Sequence, residues 1–396
     1  MSEVRPFHAL RFARDPGPRI APPYDVIGAS EREALARERE NIVHLTLPPG
    51  AEGERDYADA AQTCARWKQE AVLRRDSEEQ LYILEERVSD GRVRVGFLGL
   101  LRLADYEERI VLPHERTMRG PKHDRLLLTR ALRANLEPLF FLYEDRDAKL
   151  DPLLHGAARG ALLSACTGPD ATQLSLHAGP SAEGIAALRA FLSERPVIIA
   201  DGHHRYETML SYRDECRAAA ASAGPDDPHE FVLAYLVNAF DPGSEIRAIH
   251  RVLTGSIGDV KEVVRTAGFQ LEECNEAGPE ELLELLRGRC EAEHAFVLVR
   301  SGGSRQLAWR PRGAQLDVEV LHEELLPGLG GELSFDSKPA RLLERVEQGE
   351  VELGILLSPL DPESLFRVVQ AGRTLPQKST FFSPKIPSGL VLRDLY

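Results

Sequence analysis

Polar side chains follow a strongly apolar segment in the stretch VIIADGHHRYET, residues 197–208. Asp201 and Gly202 form a predicted turn, and His203 lies at the start of a predicted helix. The first N–H groups of a helix are unpaired and carry partial positive charge, so this position suits a phosphate. The predicted cofactor-binding residues are Gly202, His203, His204 and Arg205. We interpret Asp201 as a catalytic residue and as a ligand for Mg²⁺.

A structural alternative stays open for this stretch. Asp201 would then cap a helix, and His203 and His204 would be ordinary surface or core residues. We do not expect zinc here, because adjacent side chains on a helix diverge and rarely share one metal.

A second polar cluster occupies VLPHERTMRGPKHDR, residues 111–125. Glu115 lies among several cations, which favour its ionised form, and could accept the proton of a substrate hydroxyl. We assign Glu115 and His114 to catalysis and Arg116 and Thr117 to cofactor binding. The alternative is a solvated basic loop with a structural Glu–Arg pair.

A third cluster lies in LPQKSTFFSPKIPSG, residues 375–389. The segment has more aromatic residues than a disordered tail, so a docked position is expected. We predict that Lys378, Ser379 and Thr380 bind substrate, and note Lys385 in the same segment. A terminal strand docked only for stability is the alternative.

The elements that must position these clusters mix strands and helices without strict alternation, which predicts an α+β (mixed α/β) fold. Strands are predicted at 138–145 and 196–200, and helices at 122–136, 181–194 and about 204–221. Two hairpins are predicted, one from LYILEERV and RVRVGFLGLL and one around SGGS. The predicted regions are 1–105, 106–255 and 256–396.

Composition limits the classes of function. The net charge of −14 gives no general attraction to nucleic acid, and the chain contains no run of 18 apolar residues that would span a membrane. The five cysteines form no CxxC pair, which favours free thiols in the cytoplasm over a zinc or disulfide framework. A homodimer is possible.

Five motifs together resemble a bacterial and archaeal family, domain of unknown function number ten-fifteen. They are PPYDVI, NIVHLTLP, LPHERTM, DGHHRYET and PQKSTFFSPKIPSGL. More distantly, DGHHR after a strand, preceded by a His–Glu pair and a helix, is similar to free-serine kinases of the ParB/sulfiredoxin superfamily. This resemblance implies a ParB-like nucleotide-binding core within residues 106–255, with α+β regions on either side and a last segment that returns to the site.

The resemblance also implies an activity, namely transfer of phosphate from ATP or ADP, with Mg²⁺, to free L-serine. Glu115 would activate the hydroxyl, the turn from Asp201 to Arg205 would hold the nucleotide phosphates, and the segment Lys378–Thr380 would bind substrate. A phosphatase or nucleotide hydrolase that uses the same site is one alternative, and a non-enzymatic nucleotide-binding regulator is another. His203 or His204 stands where sulfiredoxin chemistry needs a cysteine, which argues against that reaction.

Overall fold

The computed structural model describes residues 2–115, 120–219 and 224–396, without the side chains of Gly120 and Pro121. The chain divides into two compact units. Unit 1 contains residues 1–245 and 384–396, and unit 2 contains residues 246–383. The three predicted regions do not coincide with these units, because strands on both sides of residue 105 share one sheet.

The strands, in chain order, are β1 (Val4–Arg5), β2 (Leu10–Phe12), β3 (Leu73–Arg75), β4 (Tyr82–Arg87), β5 (Val93–Arg102), β6 (Val111–Leu112), β7 (Ala134–Asn135), β8 (Leu139–Tyr143), β9 (Leu162–Thr167), β10 (Gln173–Ala178), β11 (Val197–Asp201), β12 (Phe231–Asn238), β13 (Glu245–Ala248), β14 (His250–Ile257), β15 (Gln270–Glu273), β16 (Glu293–Arg300), β17 (Arg305–Pro311), β18 (Gly330–Asp336), β19 (Leu353–Leu357), β20 (Thr380–Ser383) and β21 (Arg393–Asp394).

The helices are α1 (Ala29–Leu35), α2 (Val43–Thr46), α3 (Tyr57–Gln69), α4 (Gly120–Leu132), α5 (Asp151–Ala157), α6 (Ala182–Ser193), α7 (His203–Ala219), α8 (Val260–Thr266), α9 (Pro279–Arg287), α10 (Asp317–Val320), α11 (Leu326–Leu329), α12 (Pro339–Glu347) and α13 (Pro362–Gln370), with a π-helical turn at Leu321–Leu325. Within the described ranges, no helix combines the length and apolar character that crossing a bilayer requires.

Unit 1 is built on a nine-stranded mixed sheet. Its strands follow the order β6-β11-β8-β12-β5-β4-β10-β9, and β1 pairs with β5. The pairs β6–β11 and β8–β12 are parallel, whereas the predicted hairpin β4–β5 is antiparallel and is confirmed. All eight residues of β12 and all five of β8 are buried. Such uninterrupted apolar runs are typical of strands covered on both faces.

Unit 2 contains a six-stranded antiparallel sheet in the order β15-β17-β16-β19-β14-β18. Its core combines strand residues such as Val297 and Leu356 with helix residues such as Leu282 and Leu342. The hairpin β16–β17 confirms the prediction around SGGS. With sheets and helices in both units, the predicted α+β class is confirmed.

Candidate functional site

The turn that follows β11 has the structure that the sequence predicts. Val197, Ile198 and Ile199 are fully buried in β11, and α7 begins at His203 immediately after Gly202. Gly202 has φ +97°, and a Cβ on it would lie 3.0 Å from Arg205 Nη2. The positive φ favours glycine, and the close approach of Arg205 leaves little room for a Cβ, so glycine suits this path from strand to helix.

The part of the second predicted cluster that the structure describes up to Glu115 lies beside this turn. β6 is parallel to β11, with Val111 opposite Val197, so both strands end at the same edge of the sheet. The His114 ring contacts the Ile199 carbonyl oxygen through Nδ1 at 2.6 Å. Because a carbonyl oxygen only accepts, Nδ1 carries a proton and donates. This bond orients the catalytic histidine that the sequence predicts.

Direct contact joins the two clusters. The backbone N–H of His114 donates to His203 Nε2 at 3.3 Å, and the two rings meet edge to face with centroids 4.7 Å apart. Glu115 Oε1 lies 3.4 Å from His114 Nε2, and 14% of the Glu115 side chain is exposed. The structure therefore places the predicted base next to the predicted phosphate-binding turn, with its carboxylate still accessible.

Burial and neighbouring charges set the protonation states in the turn. Burial, followed by the nearby His114, lowers the pKa of His203 to about 3, so its ring is neutral and Nε2 is an acceptor. For Asp201, burial alone would raise the pKa, but the charges of Lys385 and Arg205 outweigh it and lower the pKa to about 2. The Asp201 carboxylate is therefore ionised throughout the physiological range.

Asp201 accepts from two cations. Lys385 Nζ donates to Oδ1 at 2.5 Å, and Arg205 Nη2 donates to Oδ2 at 3.1 Å. Mg²⁺ was predicted here, but both carboxylate oxygens are engaged by cations. No group of three His, Cys, Asp or Glu side chains suited to a metal occurs in the described part of the chain. Binding of Mg²⁺ by Asp201 together with nucleotide phosphates stays a prediction.

Arg205 faces inward. Its side chain is buried, and Nη1 donates to the Pro138 carbonyl oxygen at 3.1 Å and to Glu137 Oε2 at 3.4 Å. With Nη2 on Asp201, these bonds hold the guanidinium against the start of β8. Direct contact of Arg205 with phosphate stays a prediction, and the geometry adds a role in positioning Asp201.

Sequence reasoning missed Glu137. Its carboxylate accepts from Arg205 Nη1, from the Ser388 hydroxyl and from the Tyr24 backbone N–H. Three of the motifs, PPYDVI, DGHHRYET and PQKSTFFSPKIPSGL, therefore meet at one buried acid. The available signal was the position of Glu137, two residues before the apolar strand β8.

The second half of the 111–125 cluster is structural. Asp124 is buried and accepts from the Tyr57 hydroxyl at 2.6 Å, from the Gly53 N–H at 3.0 Å and from Arg125 Nε at 2.9 Å. Lys122 forms an ion pair with Glu207, which ties α4 to α7. Arg116 and Thr117, predicted to bind cofactor, lie outside the described residues.

The third cluster is divided between the units. Lys378, Ser379 and Thr380, the predicted substrate-binding residues, belong to unit 2, where the Ser379 hydroxyl donates to the Pro376 carbonyl oxygen. Lys385 of the same motif belongs to unit 1 and is the residue that contacts Asp201. His204 lies in the first turn of α7, and its carbonyl accepts from the Thr208 hydroxyl.

The neutral state of His203 predicts acid-sensitive stability. A histidine in an unfolded chain has a pKa of about 6.5, so below that pH the unfolded state binds a proton that folded His203 does not bind. The contribution of neutral His203 to the free energy of unfolding is fully present above pH 6.5 and is lost as the pH falls toward 3.

We expect His203→Asn to reduce the pH slope of the unfolding free energy by at most about 1.4 kcal/mol per pH unit, measured by urea unfolding between pH 6.5 and 4.5. His155→Asn on exposed α5 is the matched control, and an unchanged slope in His203→Asn would contradict the assignment.

Comparison with known proteins adds a family match. The family model described as "Protein of unknown function (DUF1015)" matches residues 4–323. Among curated proteins, "Probable membrane antigen 75" of Equine herpesvirus 2 is 38% identical over 101 residues. That match covers 22% of this chain, and the chain spans 7% of the length of the viral protein.

Three solved structures illustrate the likeness in three dimensions. A conserved hypothetical protein from Pyrococcus furiosus is 16% identical, with a TM-score of 0.38, over 72% of this chain and 94% of its own. A free serine kinase variant in complex with AMP is 16% identical, with a TM-score of 0.39, over 71% and 89%. C-terminally truncated SbnI from Staphylococcus aureus is 14% identical, with a TM-score of 0.40, over 75% and 87%. These TM-scores are too low to establish a shared fold, so the fold described above rests on the strands and helices of this chain.

Proposed function

This chain belongs to the DUF1015 family, whose description states no activity, and from the geometry of the site we propose that it is a phosphotransferase. The proposed reaction transfers a phosphoryl group from ATP or ADP to the hydroxyl of a small metabolite. We propose free L-serine as the acceptor, because the motif order resembles that of free-serine kinases.

One observation carries the proposal, namely the contact between the His114–Glu115 pair and the turn at Asp201–His203. The His114 N–H is 3.3 Å from His203 Nε2, so a carboxylate and a phosphate-binding turn share one edge of the sheet. Phosphoryl transfer needs an oriented hydroxyl beside a site that stabilises phosphate charge. The protein contributes mainly this positioning and charge stabilisation, and it need not form a covalent bond itself.

Each group then has a defined role. Glu115 accepts the proton of the substrate hydroxyl while the hydroxyl oxygen forms a bond to phosphorus. The bond from phosphorus to the bridging oxygen breaks, and the shortened nucleotide leaves with that oxygen. The backbone N–H groups of Gly202, His203 and His204 face the phosphates at the start of α7. Lys385 supplies a positive charge there, and Mg²⁺ would enter bound to the nucleotide phosphates.

The direct test is a product assay with the full chain. The protein is incubated with L-serine, Mg²⁺ and either ATP or ADP, and O-phosphoserine is detected by mass spectrometry. Phosphoserine that depends on protein and nucleotide supports the proposal. Folded protein that yields no phosphoserine with either nucleotide overturns the serine version.

The same assay separates the alternatives. Inorganic phosphate released without any acceptor would identify a phosphatase or nucleotide hydrolase, in which water replaces the serine hydroxyl. Tight nucleotide binding without turnover, unchanged in Glu115→Gln, would identify a nucleotide-binding regulator. A role for Lys378, Ser379 and Thr380 in binding substrate stays a prediction.

A further inference from the structure

Unit 2 contains a cavity of about 590 Å³, and Ser379 alone of the residues predicted for the phosphoryl-transfer site lines it. All of its lining residues lie within unit 2. Cavities that bind small molecules typically measure roughly 300–1,000 Å³ and combine apolar walls with a few polar groups. This cavity has both, and its charged lining residues are Arg251, Arg312, Arg367, Glu291, Asp317 and Asp361.

One of these cations is rigidly held. Arg251 is fully buried, and its Nη1 donates to the carbonyl oxygens of Ile249 and Lys378. Its Nε and Nη2 contact His322 Nε2 at 3.1 and 2.9 Å. Burial and then the charge of Arg251 lower the pKa of His322 to about 4, so that ring is a neutral acceptor. The cavity therefore has a guanidinium of fixed orientation in its wall.

A second charged pair is satisfied within the wall. Asp317 Oδ1 accepts from His294 Nδ1 at 2.7 Å and from Arg312 Nη1 at 3.3 Å. These bonds hold Asp317 and Arg312 in place on one side of the cavity. Because both groups already have partners, a ligand would gain little binding energy from contact with them.

Two other charged residues of the lining, Arg367 and Asp361, make hydrogen bonds to Ser364 and not to an opposite charge. Arg367 Nη2 donates to the Ser364 hydroxyl at 2.9 Å, and Asp361 Oδ1 accepts from the Ser364 N–H at 2.8 Å. Across the described residues, including all of 246–383, neither Arg367 nor Asp361 takes part in an ion pair. An anion that caps the start of α13 and a cation in its last turn thus line one cavity, each without an ionic partner among the described residues.

We propose that this cavity binds a free α-amino acid. Positive and negative groups are equally represented in its lining, which favours a zwitterion over a ligand with net charge. The carboxylate would bind Arg367 beside Arg251, and the ammonium group would bind Asp361. The side chain would pack against Ile249, Leu316 and Leu357.

The segment Lys378–Thr380 gives independent support. Ser379 lines the cavity, and Lys378, whose carbonyl oxygen accepts from Arg251, has φ +55°. A non-glycine residue in this left-handed region is uncommon and often marks a binding segment. The proposal goes beyond the phosphotransferase activity, since it assigns a second ligand site to unit 2.

The test is isothermal titration of the full chain with amino acids that lack a hydroxyl, namely L-alanine, L-leucine and L-phenylalanine. Such ligands cannot serve as phosphoryl acceptors. We expect saturable binding of at least one of them, weakened tenfold or more by Arg367→Gln and by Asp361→Asn, which keeps the helix cap. Arg373→Gln, which removes a surface arginine paired with Glu319, is the matched control and should leave the affinity unchanged.

Three results would overturn the proposal. They are no binding of any of the three amino acids to folded protein at about 10 mM, equal losses in Arg367→Gln and Arg373→Gln, and equal affinity for the deaminated analogue of the bound amino acid. Glu115→Gln should leave this binding intact, so failure of the phosphotransferase proposal and failure of this one are distinguishable.

Discussion

Glu115→Gln is expected to lower the rate of serine phosphorylation by about 10²–10⁴-fold, the range typical for loss of a general base. The amide has nearly the shape of the carboxylate, but it cannot accept the hydroxyl proton at neutral pH. Glu115 Oε1 lies 3.4 Å from His114 Nε2, and the His114 backbone N–H donates to His203 Nε2, so the carboxylate lies beside the turn at Asp201. The measurement is the initial rate of phosphoserine formation at saturating nucleotide.

Two further measurements make this result specific. Glu107→Gln changes an exposed glutamate in the same unit and should leave the rate unchanged. Nucleotide affinity in Glu115→Gln should stay near that of the unchanged protein, because the base contacts the acceptor hydroxyl and not the phosphates. If Glu115→Gln forms phosphoserine at the full rate, Glu115 is not the general base.

Arg94→Met is expected to lower the free energy of unfolding by about 3–5 kcal/mol, because it leaves a buried carboxylate without its cation. Arg94 and Glu86 are both fully buried and joined by two bonds of 2.6 and 2.8 Å. Tyr235 also donates to Glu86 at 2.5 Å, and Arg94 Nη2 donates to the Pro384 carbonyl oxygen at 2.7 Å. Pro384 directly precedes Lys385, so the variant also loosens the segment that reaches Asp201.

A double variant tests the electrostatic cause. Arg94→Met combined with Glu86→Met removes both charges, and we expect at least half of the lost stability to return, measured by urea unfolding. Arg92→Met removes a surface arginine paired with Asp90 and Glu245 and should cost less than about 1 kcal/mol. A double variant as unstable as Arg94→Met alone would show that packing dominates over charge.

Local sequence patterns predict the elements around the site well. The strand predicted at 196–200 is β11 (Val197–Asp201), and the helix predicted from about 204 to 221 is α7 (His203–Ala219). The helix predicted at 181–194 is α6, and Ser181 caps it by accepting from the Gly184 N–H. These elements depend on apolar periodicity and on capping residues close in the chain, which a sequence displays directly.

Features that depend on distant contacts or weak patterns were harder to predict. The third cluster contains Lys378 and Lys385 seven residues apart, and only the path of the chain decides that Lys385 meets Asp201, 184 residues away. Strands β9 and β10 were not predicted, because β9 is partly exposed and both contain small or polar residues. The motif NIVHLTLP contains the short helix α2, at whose start the Asn41 side chain accepts from the Val43 N–H, and no strand or helix was predicted there.

The return of residues 384–396 to unit 1 bears on the order in which the protein can fold during synthesis. Unit 2 is continuous in sequence, so a ribosome delivers all of its residues before Lys385 and β21 exist. Unit 1 cannot make all of its contacts before those residues exist. Lys385 pairs with Asp201, and β21 is the partner strand of β7. The contact between Lys385 and Asp201 therefore forms only after all of unit 2 has been synthesised.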